Sequence, residues 1–293
     1  MTAPTGDSLQ SNNLTRELRE IALELHAARN LVYQLTLRDI RVRYKQAVMG
    51  FAWAVFSPVL IVAAGVVMRV AMLHMSGERM HAGLVATIVV KGLAWAFFAG
   101  AIGFATTALT GNAALISKVY FPRAALTLSV VLACAFDSLI ATSVMALFLP
   151  MIGWRPTSAF IWVPLLIVLL FLFTLAVSLL VSCANLFFRD VKYITQSLIT
   201  FGIFFTPVFF EPSVLGGKWI PWQMLNPLAP LLEGLRLSAV SGHNLLAPVV
   251  QAGDGALVWT PWYLIYSASV AVLGLLGSVV LFHRAQYQFA EYV

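Results

Sequence analysis

From Phe160 to Leu186 the chain carries no charged side chain, and five further stretches are nearly as apolar. A helix of about 20 apolar residues crosses the ~30 Å hydrocarbon core of a bilayer. Inside that core each backbone N–H and C=O must be satisfied within the structure, so only helices and closed barrels fit. Barrel strands are shorter and alternate in polarity; these runs do neither. The composition agrees. Hydrophobic residues make up 60% of the 293 and charged residues 10%, with a mean hydropathy of +0.88, where soluble domains are about 45–50% apolar and 25% charged. The expected fold class is an all-α membrane protein with six transmembrane helices, near residues 50–74, 84–109, 124–150, 160–186, 191–211 and 261–283.

The junctions carry the remaining information. Residues 1–28 read as an N-terminal tail, polar and disordered to residue 13 and then a short charged helix with Arg16 and Glu20 at i, i+4. They lack an apolar h-region, so no cleavable signal is expected. Residues 29–48 mix Leu31, Leu35, Ile40 and Val42 with Arg29, Arg38, Asp39, Arg41, Arg43 and Lys45, the pattern of an amphipathic helix lying in the membrane interface. Residues 49–293 form the six-helix domain. Its segment 212–260, between spans five and six, holds Trp219, Trp222, Trp259 and Trp262, typical of an interfacial aromatic belt. The stretch from Leu225 to Arg236 is apolar but too short to span, and reads as a re-entrant or interfacial helix on the outer face.

Lys and Arg set the orientation. With both ends cytoplasmic, one side carries Arg16, Arg19, Arg29, Arg38, Arg41, Arg43, Lys45, Lys118, Arg123, Arg189, Lys192 and Arg284, and the other only Arg79, Arg155, Lys218 and Arg236. The net charge of +6 therefore speaks of membrane orientation, not of nucleic acid. Cys134 and Cys183 sit within apolar runs as small packing residues. No G-x-x-x-x-G-K-[ST] phosphate loop, Asp-x-Asp pair or H-E-x-x-H motif occurs. No metal site, cofactor or catalytic residue is expected on this chain.

The basic cluster carries a resemblance. Arg38-Asp39-Ile40-Arg41-Val42-Arg43-Tyr44-Lys45-Gln46, then Met49-Gly50-Phe51-Ala52-Trp53 and Ser57-Pro58, resembles the opening of the ABC-2-type polysaccharide-export permeases. Leu115 to Arg123, Asn185 to Val191, Thr206 to Phe210 and Leu225 to Ala229 resemble later pieces of the same family, in order. The resemblance implies a permease of the bacterial cytoplasmic (inner) membrane, working as a homodimer with two copies of an ABC ATPase subunit. It implies a lipid-linked polysaccharide (O-antigen, capsule or teichoic-acid-like) as cargo, with ATP and magnesium on the ATPase. The alternatives are an ABC-2 permease for a small lipid or drug, a membrane enzyme acting on polyprenyl-phosphate sugars, and a passive structural membrane protein.

On the resemblance, segment 29–48 is the interface helix and loop 111–121 holds the coupling helix. Asp39, Arg43 and Tyr44 then contact the ATPase or pair across the cytoplasmic gate; the plainer reading is a basic stretch attracted to anionic lipid. Lys118 and Arg123 orient the coupling helix, or merely follow the positive-inside bias. Arg189 and Asp190 bridge to the interface helix, or form an exposed pair worth under about 1 kcal/mol. Trp53, Phe56, Trp95, Phe97, Phe98, Phe204 and Phe205 are the channel candidates, since aromatic faces hold sugar C–H faces loosely; the alternative is packing against lipid and neighbouring helices. Lys91 and Asp137 are charges within spans, costly unless paired. Lys91, where the resemblance leads one to expect an apolar residue, is expected to snorkel outward, and Asp137 to pair with Lys91 or Arg69.

Overall fold

A computed structural model describes residues 18–45, 50, 52–76, 82–118, 121–155, 157–212, 216–250, 255 and 257–289. The start of the N-terminal tail, the last residues of segment 29–48, the end of loop 111–121 and parts of segment 212–260 lie outside them. The described chain is helical with little else. Residues 18–27 form α1, followed by α2 (Arg29–Tyr44), α3 (Ala52–Ser76), α4 (Ala82–Thr106), a 3-10 turn at Thr110–Asn112 and α5 (Ala113–Lys118). Next come α6 (Ala124–Phe148), α7 (Val163–Phe187), α8 (Val191–Phe205), α9 (Ile220–Met224), α10 (Leu228–Ala239) and α11 (Pro261–Ala285). Five of them, α3, α4, α6, α7 and α11, are long and apolar enough to cross a membrane.

The fifth expected span is the shorter one. Helix α8 is apolar but ends at Phe205, because Thr206 precedes Pro207 and is held extended (φ −102°, ψ 136°). A proline disfavours the helical conformation at the residue before it. At 1.5 Å per residue, α8 is about 22 Å long, less than the hydrocarbon thickness. Helix α11 starts at the expected place for the converse reason: Pro261 sits in its first turn, where the missing N–H costs nothing, and Thr260 ahead of it is extended.

Helix α4 is the centre of the bundle. In its most apolar stretch 67% of residues are buried, against 6% in α3, which lies at the periphery. The main apolar core joins α4, α6, α7, α10 and α11 through Trp95, Phe97, Val131, Leu166, Leu231 and Ala271. A second cluster, at the end where α2 packs, joins Val32 and Leu35 of α2 to Ile116 of α5, Leu126, Leu179, Leu186 and Phe282.

Helix α10 covers most of the apolar stretch read as re-entrant or interfacial, and it is sealed inside the bundle rather than lying at its surface: every residue from Leu228 to Leu235 is buried. The Leu225-Asn226-Pro227 motif fixes its start. Asn226 Oδ1 accepts the Leu228 N–H at 3.2 Å, and Asn226 Nδ2 donates to Thr206 Oγ1 at 3.0 Å. Tyr266 and Ser267 of α11 donate to the Leu225 and Pro227 carbonyls.

Trp219, Trp222 and Trp262 are exposed, as a belt requires. Trp259 is not a belt residue: it is fully buried and donates its indole N–H to the Leu245 carbonyl at 3.0 Å. It lies on a short antiparallel pair, β1 (Val249–Val250) and β2 (Leu257–Trp259). Gly242 closes the preceding turn at φ +67°, where a Cβ would meet Thr157 at 2.9 Å. Gly242→Ala is expected to cost about 1–3 kcal/mol, seen as a lowered thermal midpoint in detergent; an unchanged midpoint would contradict it.

Candidate groove and its ionic contacts

A groove of about 610 Å³ lies among α2, α3, α4, α6 and α8. Its α3 wall is Trp53, Ala54, Ser57, Pro58 and Ile61, its α4 wall includes Phe97 and Phe104, and α8 adds Gln196 and Ile199. Arg43 and Asp137 border it and are its charged part, with the neutral Tyr44 hydroxyl beside them. A smaller, largely apolar cavity of about 260 Å³ shares Leu93, Phe97 and Ser138 with it and continues between α6 and α7.

Helix α2 does not simply float beside the bundle: it is fastened along α6 at two points. Ser129 donates to Asp39 Oδ2 at 2.9 Å, while Asp39 Oδ1 accepts from Arg38. Eight residues on, about 12 Å along α6, Asp137 takes both remaining contacts. Arg43 Nη1 reaches its Oδ2 at 2.5 Å, and the Tyr44 hydroxyl donates to its Oδ1 at 2.7 Å. Burial first, then this hydrogen bond, pushes the Tyr44 hydroxyl well above the ordinary tyrosine range. It therefore stays protonated and donating at physiological pH. Arg43 also contacts Cys134 Sγ at 3.3 Å and stacks 4.1 Å over the Phe104 ring. The partner of Asp137 is thus Arg43, not Lys91 or Arg69.

Lys91 does not snorkel. It is fully buried, 2.6 Å from Glu233 of α10, and also donates to the Phe210 carbonyl. Glu233 is fully buried too and accepts two hydrogen bonds from Arg236, at 2.6 and 2.8 Å. Arg236 in turn lies 3.7 Å from Glu211. Two cations and two anions close a neutral network at α10. An unpaired charge there would cost several kcal/mol.

The remaining expected residues scatter. Lys118 is exposed at the end of α5. Arg123 is turned the other way, donating to the Gln286 carbonyl and lying 5.7 Å from the Phe289 ring centre, so it fastens the end of α11 and not α5. Arg189 and Asp190 are exposed between α7 and α8, and among the described residues no ion pair joins them to α2. The seven aromatics do not form one surface. Trp95, Phe97 and Phe98 belong to the interior, where Phe97 stacks on Phe171 and Phe98 on Phe173. Phe204 and Phe205 are exposed on α8. Trp53 and Phe56 meet edge to face at 5.4 Å, both exposed. Only Trp53 and Phe97 of the set border the groove.

Glu233, Arg236, Glu211 and Ser129 are the site residues that sequence reasoning passed over. A signal existed for the first two: an acid and a base at i, i+3 in an otherwise apolar segment already judged too short to span.

Residues 30–239 match the model of the family described as ABC-2 type transporter. Two curated relatives extend the match. The O-antigen export system permease protein RfbA of Klebsiella pneumoniae is 27% identical over 269 residues, 89% of this chain and 94% of that protein. The protein of the same name from Myxococcus xanthus is 26% identical over 215 residues, 71% of this chain and 80% of that protein. The matched region runs from α2 through α10 and includes the groove, the α2–α6 fastenings and the buried network. The chain is a multi-pass membrane protein and belongs to the ABC-2 type transporter family.

Proposed function

We propose that the chain is the membrane-spanning permease of an ATP-driven exporter for a lipid-linked polysaccharide of the O-antigen kind. It acts as a homodimer in the bacterial cytoplasmic membrane with both ends in the cytoplasm, and ATP is bound and split on two copies of a separate ATPase subunit. The observation that carries this is the packing of α2. Its apolar residues share one cluster with Ile116 of α5, and its polar residues hold α6 beside the groove. A push on α2 or α5 from a cytoplasmic partner therefore reaches the groove wall through packed contacts, and packed elements switch between discrete arrangements. Away from α6, α2 presents Arg29, Arg38, Arg41 and Lys45 outward, a basic face suited to an ATPase surface and to anionic headgroups. The relatives, matched over most of their length, are O-antigen permeases.

The test is depletion followed by purification. Cells lacking the chain are expected to accumulate a lipid-linked glycan on the cytoplasmic side, and the affinity-purified chain to bring down an ATPase subunit in equal number. A depleted strain with normal surface glycan, and a purified chain without an ATPase, would overturn the reading. Accumulation of a small lipid instead would leave the motor and change the cargo.

A further inference from the structure

Asp137 is the only acidic residue on α6. Both its carboxylate oxygens are occupied by consecutive residues of α2, Arg43 and Tyr44. Arg43 is held on two other sides, by Cys134 of α6 and by the Phe104 ring of α4. One turn of α2 therefore grips two walls of the groove at once. The sealed Lys91–Glu233 pair makes the contrast. Its side chains are 0% exposed, so parting them strands two charges without water. The Arg43 and Asp137 side chains keep 17% and 19% exposure and border the groove, so each gains water as the pair opens. The first pair is built to stay closed, and the second is able to open.

We infer that Asp137 is a positioning residue of transport: the latch by which α2 holds the α6 wall, released when Arg43 and Tyr44 move away. The inference rests on the exporter reading above and deepens it. It assigns Arg43 and Tyr44 a partner on α6 of their own chain, where the resemblance suggested contact with the ATPase or pairing across the cytoplasmic gate. A need for stability alone does not explain the pair, since well-packed apolar residues of similar volume serve as well or better. A pair of opposite charges beside a cavity supplies two states, docked and parted, that a mechanical input selects between.

The experiment uses the permease with its ATPase partner in proteoliposomes. It reads glycan moved per ATP split, the ATPase rate and the thermal midpoint. Asp137→Asn keeps the shape of the side chain and removes its charge; Arg43→Gln removes the charge from the other side with a shorter polar side chain. Each is expected to lower glycan moved per ATP by about 2- to 30-fold, the range to which coupling energies of this kind convert, while ATP splitting continues. The exchanged pair, Arg43→Asp with Asp137→Arg, is expected to regain most of that ratio. Ser143→Ala, on the exposed side of the same helix, controls for handling of α6. Wild-type coupling in Asp137→Asn would overturn the latch. So would a parallel fall of export, ATP splitting and thermal midpoint that the exchanged pair fails to reverse, because that is the mark of a merely structural contact. A wild-type complex that moves no glycan with ATP fails the exporter reading itself, a result distinct from wild-type export that Asp137→Asn leaves unchanged.

Discussion

Glu233→Ala is expected to destabilise the folded chain by about 3–5 kcal/mol, the cost of breaking a buried ion pair by removing one partner. Full burial of both Lys91 and Glu233 means that no discount for solvent applies. The deletion also removes the acceptor of two Arg236 hydrogen bonds, so one substitution strands Lys91 and leaves Arg236 to Glu211 at 3.7 Å and Ser241. The loss is not symmetric. Lys91→Met leaves Glu233 still bound twice by Arg236, and is expected to cost only about 1–3 kcal/mol, the price of a lost buried hydrogen-bond partner. The double variant Lys91→Met with Glu233→Met leaves Arg236 beside Glu211 at 3.7 Å and strands nothing at the centre. It should therefore be more stable than Glu233→Ala. Thermal or denaturant unfolding in detergent, read by tryptophan fluorescence, gives all three values. If Lys91→Met proves the most damaging of the three, the network is not centred on Glu233.

The spans were legible because they depend on composition over about 20 residues, which no tertiary contact has to supply. Thr206-Pro207 also announced the end of α8, although the expected span ran on to residue 211, past a signal that was present. What could not be read was pairing. Arg43 and Asp137 are 94 positions apart and Lys91 and Glu233 are 142 apart. A charge within a span says only that a partner exists. The nearest candidates by depth, Lys91 and Arg69, were wrong because α10 enters the bundle and brings its own acid to Lys91. That left Asp137 for the helix that precedes the first span. Trp259 was misread for a related reason: Trp at a membrane edge and Trp within a core look alike until the β1–β2 pair folds it inward. The aromatics chosen as channel candidates divided between core and exterior. Their residue type supplies contact area in either place and carries no direction.

Gly65→Leu is expected to displace α3 from α4 while the remainder of the bundle stays folded. A Cβ at Gly65 would sit 2.6 Å from Phe209 Cδ1 and 2.7 Å from Ile88 Cγ2, both closer than real contacts allow. Small residues let membrane helices approach closely, and here the approach is made by a helix with little else buried. Forcing extra carbons into a filled core costs about 1–3 kcal/mol, and α3 has few other contacts with which to resist. The same helix supplies Trp53, Ser57, Pro58 and Ile61 to the groove, so its displacement should open the groove along one side. The expected signature is a cysteine placed at Ser57 that reacts faster with a membrane-permeant maleimide in the Gly65→Leu background, together with reduced export. Phe209→Ala combined with Ile88→Ala should restore much of both, because the ring and the Ile88 methyl are the two obstacles to the new side chain. Rescue by the paired truncation would locate the effect at the close contact of Gly65 with Ile88 of α4 and with Phe209 after α8. Its failure, with Ser57→Cys reactivity unchanged by Gly65→Leu, would mean that the wall of the groove is held by its far end near Trp53 and not by the close contact at Gly65.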